Sequence, residues 1–345
     1  MSLTFEAAVA AHAAGDWATA ERGYLAFPAS RNARYNLGRL YRQTDRLEEA
    51  EAQFRLILQH FPDHALSRRA LAMTLLAARR YAEAWPLYEA RRQIQAPPEP
   101  TVDYPEWQGG PVAGRRLLVV AEQGLGDQLM FGRWLPELRA RGAEVVVACD
   151  GAAMRRLFEG VGFETSHYGP GGGTLPVADG WVFICSLPFR MAATEPLSAA
   201  YLPSSGWGRG IGVATHGNPA HENDARRSLG PAQAARLQAL GRDLAPAATG
   251  ARDFQDTAEI IAGLGLVITV DTSIAHLAAG LGKPCWVLLP AAGLDWRWND
   301  GVRSDWYPQA RLFRQRADGD WDTVLDEVSA ALRVRDWQAP GRGTV

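Results

Sequence analysis

Residues 1–95 repeat themselves, and a repeat of this length leaves few folds open to the chain. Trp17, Ala20 and Tyr24 recur as Leu47, Ala50 and Phe54, and again as Tyr81, Ala84 and Tyr88, in steps of 30 and then 34 residues. In the middle copy Leu37, Gly38 and Tyr41 precede Ala50 and Phe54, and Pro62 closes the unit. A small residue at Gly38 or Ala50 lets paired helices approach closely, while Tyr41 and Phe54 fill the space between neighbouring pairs. Stacked helical pairs are the expectation; an unrelated helical bundle is the alternative.

The second step equals the period of the tetratricopeptide repeat, and the middle copy resembles its full signature. Residues 96–114, APPEPTVDYPEWQGGPVAG, then break the helical pattern with proline and glycine. Beyond them strands are predicted at Leu117–Val120, Val145–Ala148 and Trp181–Cys185, with helices from Gly126 to Arg141 and through Met154 and Phe158 to near Gly162. After the linker LPSSGWGRG the same texture resumes, with strands at Ile211–Ala214, Leu266–Val270 and Cys285–Leu289 and a last helix from Trp321 to about Leu332. Such alternation predicts parallel sheets covered on both faces by helices. The organisation expected is an α/β chain: all-α repeats over 1–95, a linker over 96–114, and Rossmann-like domains over 115–205 and 206–336.

Composition narrows the function classes. With 345 residues, 47% hydrophobic, 21% charged and a net charge of -2, the chain reads as a globular protein of two or three domains, neither disordered nor a basic nucleic-acid binder. Cys149, Cys185 and Cys285 lie far apart, which argues against a disulfide framework or a zinc ribbon. The N-terminus lacks a basic start before an apolar core, and no run of about 18 apolar residues occurs, so no transmembrane segment and a cytoplasmic location are expected.

Ligands of parallel α/β sheets bind beyond the carboxyl ends of strands, so polar motifs there carry most weight. In AEQGLGDQLMFGRWLP, residues 121–136, a strand turns through Gly124 and Gly126 into a helix. The missing third glycine of GxGxxG sets aside a dinucleotide-dependent oxidoreductase. Asp127 has two readings: a first-turn carboxylate favoured by the helix dipole, or a general base for a sugar hydroxyl. Gln123, beside it, is a candidate acceptor or sugar contact. In VITVDTSIAHLAAGLGKP, residues 267–284, a strand ends at Asp271 and a helix begins within Thr272–Ile274. Its first amides, with the hydroxyls of Thr272 and Ser273, suit a diphosphate, and His276 on the first turn can donate to a phosphate oxygen. Capping for Asp271 and a satisfied core position for His276 are the plainer alternatives.

The loop ATHGNPAHENDARRSLGP, residues 214–231, gathers His216, Asn218, His221, Asn223, Arg226 and Arg227. A metal site from His216, His221 and Asp224 lacks a recognised ligand spacing, whereas arginines facing phosphate fit, with Asn218 as a further donor contact. Finally, DWRWNDGVRSDWYP sets Trp296, Trp298, Trp306 and Tyr307 among Asp295, Arg297 and Arg303. These suit sugar or base stacking, with Trp296 and Arg297 as candidate contacts, or equally a clamp for the last helix.

From Pro105 to about Leu332 these stretches, together with PEWQGG and DFQDTAEIIAGLGLVITVDTSIAHLAAGLGKPCWVLLP, resemble the tetratricopeptide-linked bacterial glycosyltransferases, related to lipopolysaccharide heptosyltransferases and more distantly to O-linked N-acetylglucosamine transferases. The resemblance implies a GT-B arrangement, a nucleotide sugar held mainly by the second Rossmann-like domain, inverting transfer, no metal and no cofactor beyond the donor. It matches Asp127 to the catalytic base, Asp271, Thr272, Ser273 and His276 to the donor segment, and Arg227 to a phosphate-contacting loop lysine. The acceptor implied is a protein, for instance flagellin, or a glycan, presented near the repeats. One departure is clear: where relatives carry Ser-Leu-Gln-Lys before DFxDTA, this chain runs LAPAATGARDF, with Ala248 and Thr249 in place of a phosphate lysine. A scaffold with an inactive transferase-like domain is the alternative function.

Overall fold

Six helices fill most of the first 88 residues: α1 (Phe5–Ala13), α2 (Trp17–Leu25), α3 (Arg31–Gln43), α4 (Leu47–His60), α5 (Ala65–Ala77) and α6 (Tyr81–Tyr88), followed by a 3-10 turn over Glu89–Gln93. The computed structural model describes residues 4–334 except 96, 97, 150, 170–173, 205, 207, 222, 294, 299 and 300. The chain divides into two units, the helices with residues 192–195, 292, 293 and 295–297 forming the first.

Each helix packs on the next, and the sequence period returns as geometry. The turns inside the three pairs pass through Gly15, Asp45 and Arg79, with φ of 79°, 59° and 61°, so the left-handed position recurs at the sequence interval. Arg46 donates from Nη1 to Glu21 at 2.8 Å and from Nε to Glu49 at 2.8 Å. One repeat later Arg80 donates from Nη1 to Glu51 at 2.6 Å and from Nε to Glu83 at 2.8 Å. Ala20, Ala50 and Ala84 are fully buried between helices. Gly38 is needed for the same reason: a methyl built there would lie 2.7 Å from the Phe54 ring. Gly38→Ala is expected to destabilise the first unit by about 1 to 3 kcal/mol through overpacking, read as a lower urea midpoint of the helical signal. An unchanged midpoint would show that the ring has room to move.

The second unit holds two parallel sheets. In the first, β1 (Arg116–Val120), β2 (Glu144–Cys149), β3 (Glu164–His167) and β4 (Gly180–Phe183) stand in the order β3-β2-β1-β4. Helices α7 (Leu125–Phe131), α8 (Trp134–Ala140) and α9 (Ala152–Gly160) connect the strands, and α10 (Leu187–Arg190) follows the last one. Residues 105–107 run along β4, Trp107 donating its amide to Trp181 at 2.7 Å and Trp181 donating to Pro105 at 3.0 Å.

The second sheet contains β5 (Ile211–Ala214), β6 (Arg242–Asp243), β7 (Leu266–Val270), β8 (Cys285–Leu289) and β9 (Ala310–Arg314) in the order β6-β5-β7-β8-β9. Its helices are α11 (Asp224–Arg227), α12 (Pro231–Gln238), α13 (Pro246–Thr249), α14 (Phe254–Ala262), α15 (Ser273–Gly280) and α16 (Trp321–Arg333). Strands β7 and β8 are buried at every residue, as a sheet covered on both faces requires. Val213, Ile268, Trp286 and Leu288 pack with Leu237 of α12 and with Trp321, Val324 and Val328 of α16. Lys283, the lone lysine, is buried and donates to Ala262 O at 2.6 Å at the end of α14; burial pushes its pKa down.

The single helix expected over 126–141 is two. Tyr201 donates its hydroxyl to Leu129 O, and Arg133 Nε donates to Met130 O at 2.9 Å. Those carbonyls would otherwise accept from residues 133 and 134, so the ladder breaks at Gly132–Arg133. Among the described residues no helix is long and apolar enough to cross a membrane.

Candidate functional site

Strand order locates the site. In doubly wound sheets, ligands bind beyond the carboxyl ends of the strands where the winding reverses, here between β1 and β4 and between β5 and β7. The chain leaving β1 carries Gln123, Gly124 and Asp127, the chain leaving β5 carries residues 215–229, and the chain leaving β7 carries Asp271–His276. Both switch points thus bear polar motifs.

Helices α7 and α15 meet across the two halves of this unit. A methyl built on Gly126 would lie 3.0 Å from Cδ2 of His276 and 3.7 Å from Ser273 Cα, so only glycine allows this approach without a shift. Asp127, half-buried one residue on, accepts the Gly124 amide at Oδ2, 3.1 Å away, and so caps its own helix. Gln123 enters that turn with φ of 62°, a conformation rare for a residue with a side chain. The halves are tied again where Arg156 of α9 donates to Asp253, the cap of α14, at 2.7 Å and to Asp256 on α14 at 2.8 Å. Hydrogen bonds from Arg252 and Arg156 hold the Asp256 carboxyl far below the usual carboxylate range. A third tie is Arg133, which donates to Trp306 O at 2.9 Å with its guanidinium 4.5 Å from the Tyr307 ring centre.

At the end of β7, Thr272 caps α15, its hydroxyl accepting the Ile274 amide at 3.2 Å. Asp271 is held by groups distant in sequence: its Oδ1 accepts Trp298 Nε1 at 2.7 Å, and its carbonyl accepts Arg227 Nη1 at 2.8 Å. His276 is buried and stacked on Trp298 at 5.3 Å, with Nδ1 2.7 Å from the Tyr307 hydroxyl. That bond turns the Nε2 side of the ring towards Gly126, whose built methyl would stand 3.5 Å from Nε2. The hydroxyl of Ser273 sits at the first position of α15, where the helix dipole favours an anion.

Loop 215–229 closes beside them. Arg227 is buried and also donates from Nε to Asp224 at 3.2 Å. Ser228 donates to Asp224 at 3.0 Å and accepts the Gly217 amide at 2.9 Å. Asn218 accepts the Ala220 amide at 3.0 Å, so its carbonyl shapes the loop. His216 shares a hydrogen bond with Thr215, and His221 accepts the Asn223 amide, so these rings and Asp224 have separate partners. Among the described residues no group of three metal-ligating side chains gathers.

The aromatic segment divides. Trp298, Trp306 and Tyr307 are buried in the second unit, Trp298 and Tyr307 against His276 and Trp306 against Trp134, whereas Trp296 and Arg297 belong to the first. Trp296 is only 3% exposed and meets Trp85 edge-on at 6.0 Å, with Arg297 4.5 Å above its ring and bound to Asp295 at 2.7 Å. Tyr307 and Trp298 orient His276 and Asp271, a role their sequence separation conceals. Arg133 and Tyr201 join these contacts although nothing in their local spacing marks them.

No family model matches the chain. Protein FlbA of Caulobacter vibrioides is 26% identical over 341 residues, covering 79% of this chain and 55% of FlbA, so the chain spans about half the length of the curated relative it matches. Among solved structures, the Escherichia coli ADP-heptose lipopolysaccharide heptosyltransferase II aligns with a TM-score of 0.42 at 15% identity, over 64% of this chain and 99% of its own. A glycosyl transferase family 9 structure from Veillonella parvula gives 0.34 at 10% identity, over 69% and 94%. An O-GlcNAc transferase mutant of Thermobaculum terrenum gives 0.28 at 14% identity, over 96% and 91%.

Proposed function

We propose that the chain is a glycosyltransferase that moves a sugar from a nucleotide-sugar donor to a protein or glycan acceptor. The observation that carries this reading is the approach of α7 to α15 through Gly126, which sets the turn bearing Asp127 beside the helix that begins at Thr272. The motif resemblance adds the donor assignment for Asp271, Thr272, Ser273, His276 and Arg227.

In the reaction proposed, the acceptor oxygen attacks the anomeric carbon as the bond from that carbon to the diphosphate oxygen breaks. The electron pair leaves with the nucleoside diphosphate, and the acceptor proton passes to the Asp127 carboxylate. Attack opposite the leaving group inverts the anomeric centre. The amino end of α15 and the hydroxyls of Thr272 and Ser273 stabilise the departing charge, with His276 held at fixed orientation by Tyr307. On this reading no metal is required, Gln123 faces the acceptor side, and the helical pairs are tetratricopeptide repeats that hold the acceptor.

The second reading, a scaffold with an inactive transferase-like domain, draws on one observation: between β6 and α14 the chain holds the short α13, and the one basic residue there, Arg252, is bonded to Asp256 at 2.7 Å. A thermal-shift panel tests the donor site. At least one of UDP, GDP, ADP, TDP and CMP is expected to raise the melting temperature in a concentration-dependent way. No shift from any of them at about millimolar concentration, about 1,000 times the Kd of a micromolar ligand, overturns the donor-site reading.

A further inference from the structure

Charge is segregated within the helical unit. Arginines at the starts of α4 and α6 and within α4 are paired: Arg46 with Glu21 and Glu49, Arg55 with Glu51, and Arg80 with Glu51 and Glu83, while Arg22 of α2 donates to Thr19. Helices α3 and α5 differ. They contain Arg31, Arg34, Arg39, Arg42, Arg68 and Arg69 and no aspartate or glutamate. Among the described residues Arg34, Arg39, Arg42, Arg68 and Arg69 form no ion pair or side-chain hydrogen bond, although all five are half-buried. Positions 31, 34, 39 and 42 are spaced by 3, 5 and 3 residues, which puts them on one face of α3, and α3 touches α5.

Arg42 is the centre of this face. Its Nε is buried without a hydrogen-bond partner. Burial, then the neighbouring Arg39 and Arg69, push its pKa down, and Asp295 is the carboxylate that opposes them. Asp295 is itself bonded to Arg297 at 2.7 Å, so much of its charge is already answered. A half-buried guanidinium with its Nε buried and open, flanked by two more, has no carboxylate hydrogen-bonded to it among the described residues.

We infer that the arginine face of α3 and α5 binds an extended acidic polypeptide segment, whose carboxylates pair with Arg39, Arg42 and Arg69. Planar guanidinium groups donate two parallel hydrogen bonds to a carboxylate, a geometry that lysine does not match. The 13 residues of α3 span about 20 Å, the length of roughly six extended residues. A nucleic-acid backbone fits less well, because its phosphates are fixed on a bulky strand, whereas carboxylates on flexible glutamate side chains adapt to guanidinium groups that are only half-exposed. This deepens the proposal that the helical pairs hold the acceptor, yet its test measures binding alone, so it stands or falls separately from sugar transfer.

The test is fluorescence anisotropy of the full chain with a labelled glutamate decamer, a glutamine decamer and a thymidine oligonucleotide. The glutamate peptide is expected to bind, to weaken at least about tenfold between about 50 and 300 mM salt, and to lose at least about tenfold in affinity on Arg39→Gln with Arg69→Gln. Arg55→Gln, on the paired helix α4, is expected to leave binding unchanged. Should the double variant misfold by circular dichroism, Arg34→Gln with Arg68→Gln on the same two helices carries the test, with a loss of at least about threefold expected. Equal binding of the glutamine peptide, tighter binding of the oligonucleotide, absence of binding, or a folded variant that binds like the parent overturns the inference.

Discussion

Asp127→Asn is expected to slow sugar transfer roughly 100-fold or more while leaving nucleotide affinity within about twofold of the parent. The reason lies in two jobs that one carboxylate can do. Asp127 accepts the Gly124 amide at 3.1 Å and so caps α7. Asparagine keeps an oxygen for that amide, so the cap survives; loss of a cap would in any case cost about 1 kcal/mol of stability and leave chemistry alone. What asparagine cannot do is take a proton. The acceptor hydroxyl then attacks without a base, and the barrier rises by about 2.7 kcal/mol for each 100-fold. The measurement is single-turnover release of nucleoside diphosphate in the presence of acceptor, alongside calorimetric nucleotide binding. Turnover within about threefold of the parent would confine Asp127 to the helix end.

The pattern of what could be read from sequence follows burial. Strands β7 and β8, the first buried at all five residues and the second likewise, announced themselves as apolar runs, and their predicted bounds coincide with the observed ones. The strands that escaped notice, β3, β6 and β9, all lie at sheet edges. β3 reads Glu-Thr-Ser-His, β6 is two residues long, and β9 is interrupted by Arg311. Edge strands face solvent or carry charge against mispairing, so their sequences lack the signal that a buried strand must have. The helix through 126–141 was overextended because its break is made by Tyr201, some 70 residues away, taking a carbonyl that the helix would have used. Local periodicity has no access to such a competitor.

The same division holds at the site. Motifs at strand ends were visible because topology demands polar residues there. Their mutual support was not: Trp298 reaches Asp271 across 27 residues and Tyr307 reaches His276 across 31. The tryptophans of DWRW stand two residues apart, within a segment whose composition suits sugar or base stacking or a clamp for the last helix, yet Trp296 packs in the first unit and Trp298 in the second. Only the fold assigns them to different neighbours.

Arg227→Ala is expected to weaken nucleoside diphosphate binding by roughly 10- to 150-fold, the equivalent of about 1.5 to 3 kcal/mol for a lost hydrogen bond to a charged group. The residue is 9% exposed, and its side chain donates to the Asp271 carbonyl at 2.8 Å and to Asp224 at 3.2 Å, and so fastens loop 215–229 to the start of α15. Its removal takes one donor from the Asp271 carbonyl and one from the Asp224 carboxylate, which keeps the Ser228 hydroxyl, so stability falls as well, by about 1 to 3 kcal/mol. The two effects are separable. Calorimetric titration well below the melting temperature reports affinity in the folded protein, and thermal unfolding without ligand reports the fold. A guanidinium that serves the donor site lowers both, whereas a purely structural one lowers the melting temperature and leaves the dissociation constant of the folded protein unchanged. Arg227→Lys sharpens the distinction, because a lysine ammonium keeps the charge for a phosphate but cannot span Asp271 and Asp224 together with a planar fork. Recovery of most of the affinity by lysine, with the melting temperature still depressed, would place the anion contact above the loop anchor in what Arg227 does for the nucleotide.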